Sequence, residues 1–264
     1  MGPRVGVVLA SALISLTSVV AALSTVPTFG ADHVPFGQGE RLVYSIGWYN
    51  VVGGTAELVV DEREYEGTPV YRIVSLAKSN AFVSMFFPVE DRIESLIHRD
   101  TLASLRLDVK QREGKRRRAR LTEFDQVNHT ATVSKNGDRK VYEIPPDVQD
   151  SLSVLYYFRS LPNLKVGETA TIDVHESNKN WRLAIIALNR ERVETEAGEF
   201  DTIRTRAAVE FEGVFLDRGD VYVWFTDDDR RLPVRMDSKI KVGRISAKLI
   251  EYRPATPGPE ARVR

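Results

Sequence analysis

Two stretches of this chain combine residue types that could take hold of a ligand. The first is Lys110-Gln-Arg-Glu-Gly114-Lys-Arg-Arg-Arg-Ala-Arg120. Read as a hairpin around Gly114, it sets Lys115, Arg117 and Ala119 on one face and Arg116, Arg118 and Arg120 on the other. Arginine on both faces implies a strand end that protrudes from the body. Such an end either discourages edge-to-edge pairing or contacts an anion: a lipid headgroup, a lipopolysaccharide phosphate or an acidic protein. The anion-contact residues are then Lys115, Arg116, Arg117, Arg118 and Arg120. The second stretch is Ala81-Phe-Val-Ser-Met85-Phe86-Phe87-Pro88, the most apolar loop-like segment. Pro88 breaks a strand ladder there. Phe82, Met85, Phe86 and Phe87 either pack into the core or form an apolar flap at the mouth of a sheet cavity. Flexible, polarisable Met85 suits the second role.

Other constellations carry less. No Gly-x-Ser-x-Gly elbow and no cysteine is present, so nucleophilic hydrolysis has no support. The four histidines, His33, His98, His129 and His175, show no i, i+4 or short-loop pairing of the kind that binds zinc. Asp227-Asp228-Asp229 lacks the alternating oxygen ligands, central Gly and closing Glu of a calcium loop, and Arg230-Arg231 supplies counter-charge. Glu90-Asp91 with Glu94, and Glu210 with Glu212, could offer acid and base. That spacing is common to every exposed strand and argues nothing about glycoside cleavage. The expectation is a protein that is not an enzyme, with no cofactor and no metal.

The elements that position these residues are almost all strands. Ala56, Leu58 and Val60 alternate with Glu57 and Asp61, and Leu105, Leu107 and Val109 with Arg106 and Asp108. Ile203, Ala207 and Val209 alternate with Arg204, Arg206 and Glu210. Turn chemistry separates the runs, and Asn136-Gly137 is the clearest tight hairpin. The strands are predicted at about 40–48, 54–64, 69–79, 89–98, 104–112 and 116–125, with an extra hairpin at 130–144. A second set follows at about 169–176, 181–194, 200–211, 219–226, 233–241 and 244–252. Gly39-Glu40 opens the first set and Gly167-Glu168 the second, and an arginine, Arg106 or Arg235, follows 67 or 68 residues on. One helix is predicted from about 148 to 159, preceded by Pro145-Pro146 and capped by Asp147 or Asp150. Its Val148, Leu152, Leu155 and Tyr156 share a face.

The fold class expected is all-β with one central helix: a strongly curved antiparallel sheet or incomplete barrel from two similar six-strand units, about 39–144 and 167–252. Residues 31–252 form a single β-rich domain, and 253–264, rich in Pro, Gly and charge, a disordered tail. Residues 1–30 contain Arg4, an apolar run from Val5 to Leu23 and no acid, the layout of a signal peptide cut after Ser24 or Gly30. The nineteen residues of this run could also just span a bilayer as a retained anchor. With no cysteine, disulfides and a lipoprotein anchor are closed routes. Hydrophobic residues at 42% exclude a wholly disordered chain, and 37 basic against 37 acidic residues give no global field toward nucleic acid.

Several segments together resemble the DUF3108 family of exported bacterial proteins, a family without an assigned activity. They are Gly39-Glu-Arg-Leu-Val-Tyr44 through Gly54-Thr-Ala56, Phe87-Pro-Val-Glu-Asp-Arg-Ile-Glu94, and Val148-Gln-Asp-Ser-Leu-Ser-Val-Leu-Tyr-Tyr157. Ala197-Gly-Glu-Phe200, Val223-Trp-Phe-Thr-Asp-Asp228 and Arg231-Leu-Pro-Val-Arg235 complete them. The resemblance implies a periplasmic or envelope protein of mostly β structure and transfers no catalytic residue. A likeness to lipoprotein-carrier folds is one of fold alone. The function expected is non-catalytic binding of an apolar or lipid-like ligand in a curved β-sheet. The alternative is an envelope assembly or scaffold factor that binds other proteins.

Overall fold

The computed structural model describes residues 34–48, 51–162, 164–211, 214–215, 221–239 and 243–256. The expected signal peptide, and the tail beyond 256, lie outside them. The first strands are β1 (Arg41–Trp48), β2 (Val51–Tyr65), β3 (Thr68–Ser79), β4 (Val89–His98), β5 (Ser104–Glu113), β6 (Arg116–Asp125), β7 (Thr130–Lys135) and β8 (Asp138–Glu143). After a helical segment come β9 (Thr169–Glu176), β10 (Lys179–Thr195), β11 (Gly198–Phe211), β12 (Val214–Phe215), β13 (Val221–Thr226), β14 (Pro233–Lys239) and β15 (Arg244–Arg253). All belong to one sheet in the order β8-β7-β6-β5-β4-β3-β2-β1-β15-β14-β13-β11-β10-β9, with the two-residue β12 paired to β11. Every ladder is antiparallel, as short hairpin connections require. The expected β class with a curved, unclosed antiparallel sheet is what the chain adopts. The first half holds the six expected strands and the extra hairpin (β7 and β8), and the second holds the six expected strands and the two-residue β12.

The two ends of the strand order come back together without forming a ladder. Arg120 of β6 pairs with Glu176 of β9 at 2.7 Å, and the Asn180 side-chain amide of β10 donates to the Glu143 carbonyl of β8 at 2.8 Å. Between β8 and β9 runs the connecting segment. Gln149 forms an isolated parallel bridge with Val174, through its N–H to the Asp173 carbonyl and its carbonyl from the His175 N–H. The sheet is therefore strongly curved, with a filled seam where a barrel would close.

That bridge shortens the helix. It begins at Ser153, as α2 (Ser153–Ser160), not near Val148 as the periodicity predicts. A backbone already bonded to β9 at residue 149 cannot also make helical bonds. Asp150 acts as cap: its carboxylate accepts the Leu152 and Ser153 amides at 2.7 and 2.8 Å, and the Ser95 and Ser104 hydroxyls at 2.6 and 2.8 Å. A second helix, α1 (Ala81–Ser84), is a single turn between β3 and β4.

α2 fills one end of the curved sheet. Tyr156, Phe158 and Val154 are buried with Leu42, Tyr44, Leu58, Val60 and Ile73. Phe36 packs edge-on against Tyr156 at 4.9 Å, and Phe158 against Phe225 at 4.7 Å. Arg159 is also wholly buried, held by both carboxylate oxygens of Glu40 at 2.8 Å and by the Pro35 and Arg230 carbonyls. Burying each large apolar side chain contributes about 1.5–3 kcal/mol, so the plugged end anchors the fold.

Candidate functional site

The opposite end carries the hairpin tips of β1–β2, β3–β4 and β5–β6. Asn80 joins the first two. Its side-chain oxygen accepts the Val83 amide and starts α1, its amide group donates to the Val52 carbonyl at 2.7 Å, and its own N–H donates to the Gly53 carbonyl. Gly54, one residue on, has to be glycine: a Cβ there would lie 2.2 Å from the Lys78 carbonyl oxygen. The clamp turns the apolar segment outward. Phe82, Met85 and Phe86 are 63%, 71% and 77% exposed, with the two rings edge-on at 5.8 Å. Trp48, Val51 and Val52 on the neighbouring tip are exposed as well. The segment does not serve as core, and its Phe87 is half-buried. A contiguous exposed patch of this kind marks a binding surface more often than an accident of packing.

Phe87 connects the apolar tips to the basic hairpin. A Cβ on Gly114 would approach the Phe87 ring to 2.9 Å, and the Gly114 N–H donates to the Pro88 carbonyl at 2.7 Å. The two stretches singled out from sequence are thus neighbours at one rim. Lys115, Arg116 and Arg117 are exposed there, and Arg117 also donates to the Gly114 and Arg116 carbonyls. Arg118 is half-buried. Arg120 is apart from this group, because its guanidinium is committed to Glu176 in the seam.

Below the rim the inward face changes character. Towards α2 its residues are fully buried, whereas Ile46, Ala77, Ala207 and Val221, nearer the tips, are only partly covered. Two carboxyl groups sit among them. Asp91 and Glu113 are buried, and Asp91 accepts the Arg112 amide at 3.0 Å and the Gln111 side chain at 3.3 Å. One Glu113 oxygen, Oε1, is buried without a hydrogen bond. Burial pushes the Asp91 carboxyl up to about 6; the Arg112 amide opposes this and the Glu113 charge adds to it. Glu113 was not among the acidic groupings that the sequence suggests. Glu90 and Glu94 were, but they bind Lys78, Arg112, Arg72 and Arg92 outside. Asp91 and Glu113 lie 22 residues apart and meet only through the β4–β5 register, which no local spacing reveals.

The triple aspartate forms a charged turn: Asp227 pairs with Arg190 at 2.6 Å, and Asp228 with Arg230 at 2.5 Å. Among the described residues no cluster of three or more His, Asp or Glu could hold a metal ion, and no helix is long and apolar enough to cross a membrane.

No curated protein matches the chain. Among solved structures it is similar to a beta-barrel-like protein of the domain of unknown function DUF1849 from Brucella abortus, with 8% identity over 84% of this chain and 99% of that one, at a TM-score of 0.57. A candidate lipoprotein from Parabacteroides distasonis matches at 11% identity, 84% and 99% coverage and a TM-score of 0.38. A candidate exported protein with a YmcC-like fold from Bacteroides fragilis matches at 14% identity, 84% and 98% coverage and a TM-score of 0.33. The first of these shares the fold at an identity too low to carry a function. The profile of DUF3108, a protein family of unknown function, matches residues 42–250, and the chain belongs to that family.

Proposed function

We propose that this protein is a non-catalytic, periplasmic component of the cell envelope that binds an apolar, lipid-like ligand at the open end of its curved sheet. The acyl part lies against Phe82, Met85, Phe86 and the Trp48–Val52 tip, and Phe87 holds the basic hairpin beside it. An anionic headgroup meets Lys115, Arg116 and Arg117, with Arg118 behind them. Arg120 contributes only through the seam. Export rests on the apolar, acid-free N-terminal run. The observation that carries the reading is the exposure of Phe82, Met85 and Phe86 next to three exposed cations. Apolar surface alone would suit a protein partner equally, and the adjoining cations favour an anionic amphiphile.

The test is native mass spectrometry of the mature protein released gently from its own envelope, beside a Phe82→Asp/Phe86→Asp variant. Both side chains are solvent-exposed, so folding stability should change by no more than about 0.5 kcal/mol. Burial of two phenylalanines against an acyl chain contributes about 3 kcal/mol or more, so lipid retention should fall by roughly 100-fold or more. Lipid retained equally by the variant, or no lipid in either, refutes the proposal. Cross-linking of the same tips to an envelope protein, without lipid, would establish the assembly-factor alternative instead.

A further inference from the structure

Away from this rim, the outer face of the sheet carries a row of cations built around one tryptophan. The register sets Asn189 opposite Arg204, Arg204 opposite Trp224, Trp224 opposite Arg235, and Arg235 opposite Lys248, across β10, β11, β13, β14 and β15. Residues directly opposed in an antiparallel ladder share a face and touch. The Arg204 guanidinium carbon lies 4.4 Å from the Tyr222 ring centre and 5.3 Å from that of Trp224, and the Arg235 carbon lies 4.6 Å from the Trp224 centre. The Trp224 N–H donates to Glu191 at 2.5 Å, which fixes the ring.

Beside this row is a cleft of about 320 Å³, to which Arg192, Arg204, Arg235 and Arg244 contribute against Glu191 and Glu194. Three of the four arginines have carboxylate partners. Arg192 pairs with Glu199 at 2.9 Å, and Arg235 and Arg244 share Asp237 at 2.7 and 3.3 Å. Among the described residues Arg204 has no carboxylate at ion-pair distance, and its Nε–H is buried with no acceptor. A guanidinium packed against two aromatic rings has lost part of its hydration, and an unmatched buried donor is costly. An oxyanion on the terminal nitrogens of the fork, which are not sealed as Nε is, meets the first demand.

We propose that this cleft binds a small, water-soluble molecule through its carboxylate or phosphate group, with Arg204 as the anchor. The volume lies at the lower end for small-molecule sites. The cleft's apolar members, Val193 and Trp224, are 8% and 5% exposed, so it offers no surface for a lipid tail. Trp224, already covered by guanidinium groups, is no free platform for stacking a sugar. Glu191 and Glu194 restrict the ligand to one localised charge, since a polyanion spread over the cleft would meet them.

The experiment titrates inorganic phosphate and acetate separately into the full chain, reading tryptophan fluorescence and calorimetric heat. Saturable binding of at least one anion is expected, with calorimetric heat and a tryptophan fluorescence change that saturate together. Arg204→Gln should weaken that binding tenfold or more at an unchanged melting profile. Arg204→Lys keeps the charge without the planar fork and should fall between. In the Phe82→Asp/Phe86→Asp background, which removes the apolar contact of the rim, a short-chain phosphatidic acid below its micelle concentration should bind no more tightly than phosphate. Tighter binding of that lipid overturns the soluble-ligand assignment. No saturable response to either anion, or wild-type affinity in Arg204→Gln, overturns the site itself.

Discussion

Replacing Glu40 by Gln should cost far more than the same change at Glu168, although the two residues occupy one backbone motif. In each, a glycine with φ of 84° or 90° opens the motif. The Gly39 N–H donates to the Val60 carbonyl at 2.9 Å and the Gly167 N–H to the Ala187 carbonyl at 2.8 Å. The following glutamates then accept from Val60 and Ala187 through their carbonyls. The side chains differ. Glu168 is exposed and accepts only the Lys165 amide. Glu40 is 1% exposed and holds both terminal nitrogens of Arg159, itself fully buried. Glu40→Gln keeps the shape but leaves a buried cation without its counter-charge, a loss of about 3–5 kcal/mol. The Pro35 and Arg230 carbonyls and the Phe36 and Tyr156 rings, 5.5 and 5.2 Å from the guanidinium carbon, remain and favour the lower part of that range. For a domain of this size the melting temperature should drop by about 6–20 °C. Urea unfolding of Glu40→Gln, Arg159→Met, the double variant and Glu168→Gln completes a cycle. The double variant should be more stable than the sum of the single losses implies. A Glu40→Gln loss no larger than that of Glu168→Gln would refute the reasoning.

Two other perturbations probe further buried acids. The Asp91 carboxyl, raised to about 6 mainly by burial, keeps a proton in the folded protein that the unfolded chain releases nearer pH 4. Its contribution to stability is therefore fully present below about pH 4 and is lost as pH rises through about 6. Urea midpoints should show wild type declining relative to Asp91→Asn across that window, and parallel curves would contradict the assignment. Asp150 accepts two backbone amides and two serine hydroxyls while fully buried, and burial raises its carboxyl above the ordinary range. Asp150→Ala should lose about 2–3 kcal/mol and accelerate hydrogen exchange in α2 first. Uniform protection across α2 in that variant would show that the cap is dispensable.

The strands were legible because alternation and turn chemistry are local. Asn136-Gly137 has φ of 52° and 86°, the double positive value that a tight hairpin requires, and β7 and β8 follow from it. What stayed hidden depends on partners distant in sequence. The periodicity of 148–159 is helical, yet β9 claims the backbone of Gln149 before the helix can start. The apolar segment reads as loop or core until Asn80 ties it to Val52, 28 residues away, and exposes its rings beside the basic hairpin. The two Gly-Glu starts show the division most directly. Their backbones behave alike because the same local pattern makes the same bonds. Their side chains diverge because α2 lies over one and not the other. The inserted α2 thus decides which end of the curved sheet is plugged.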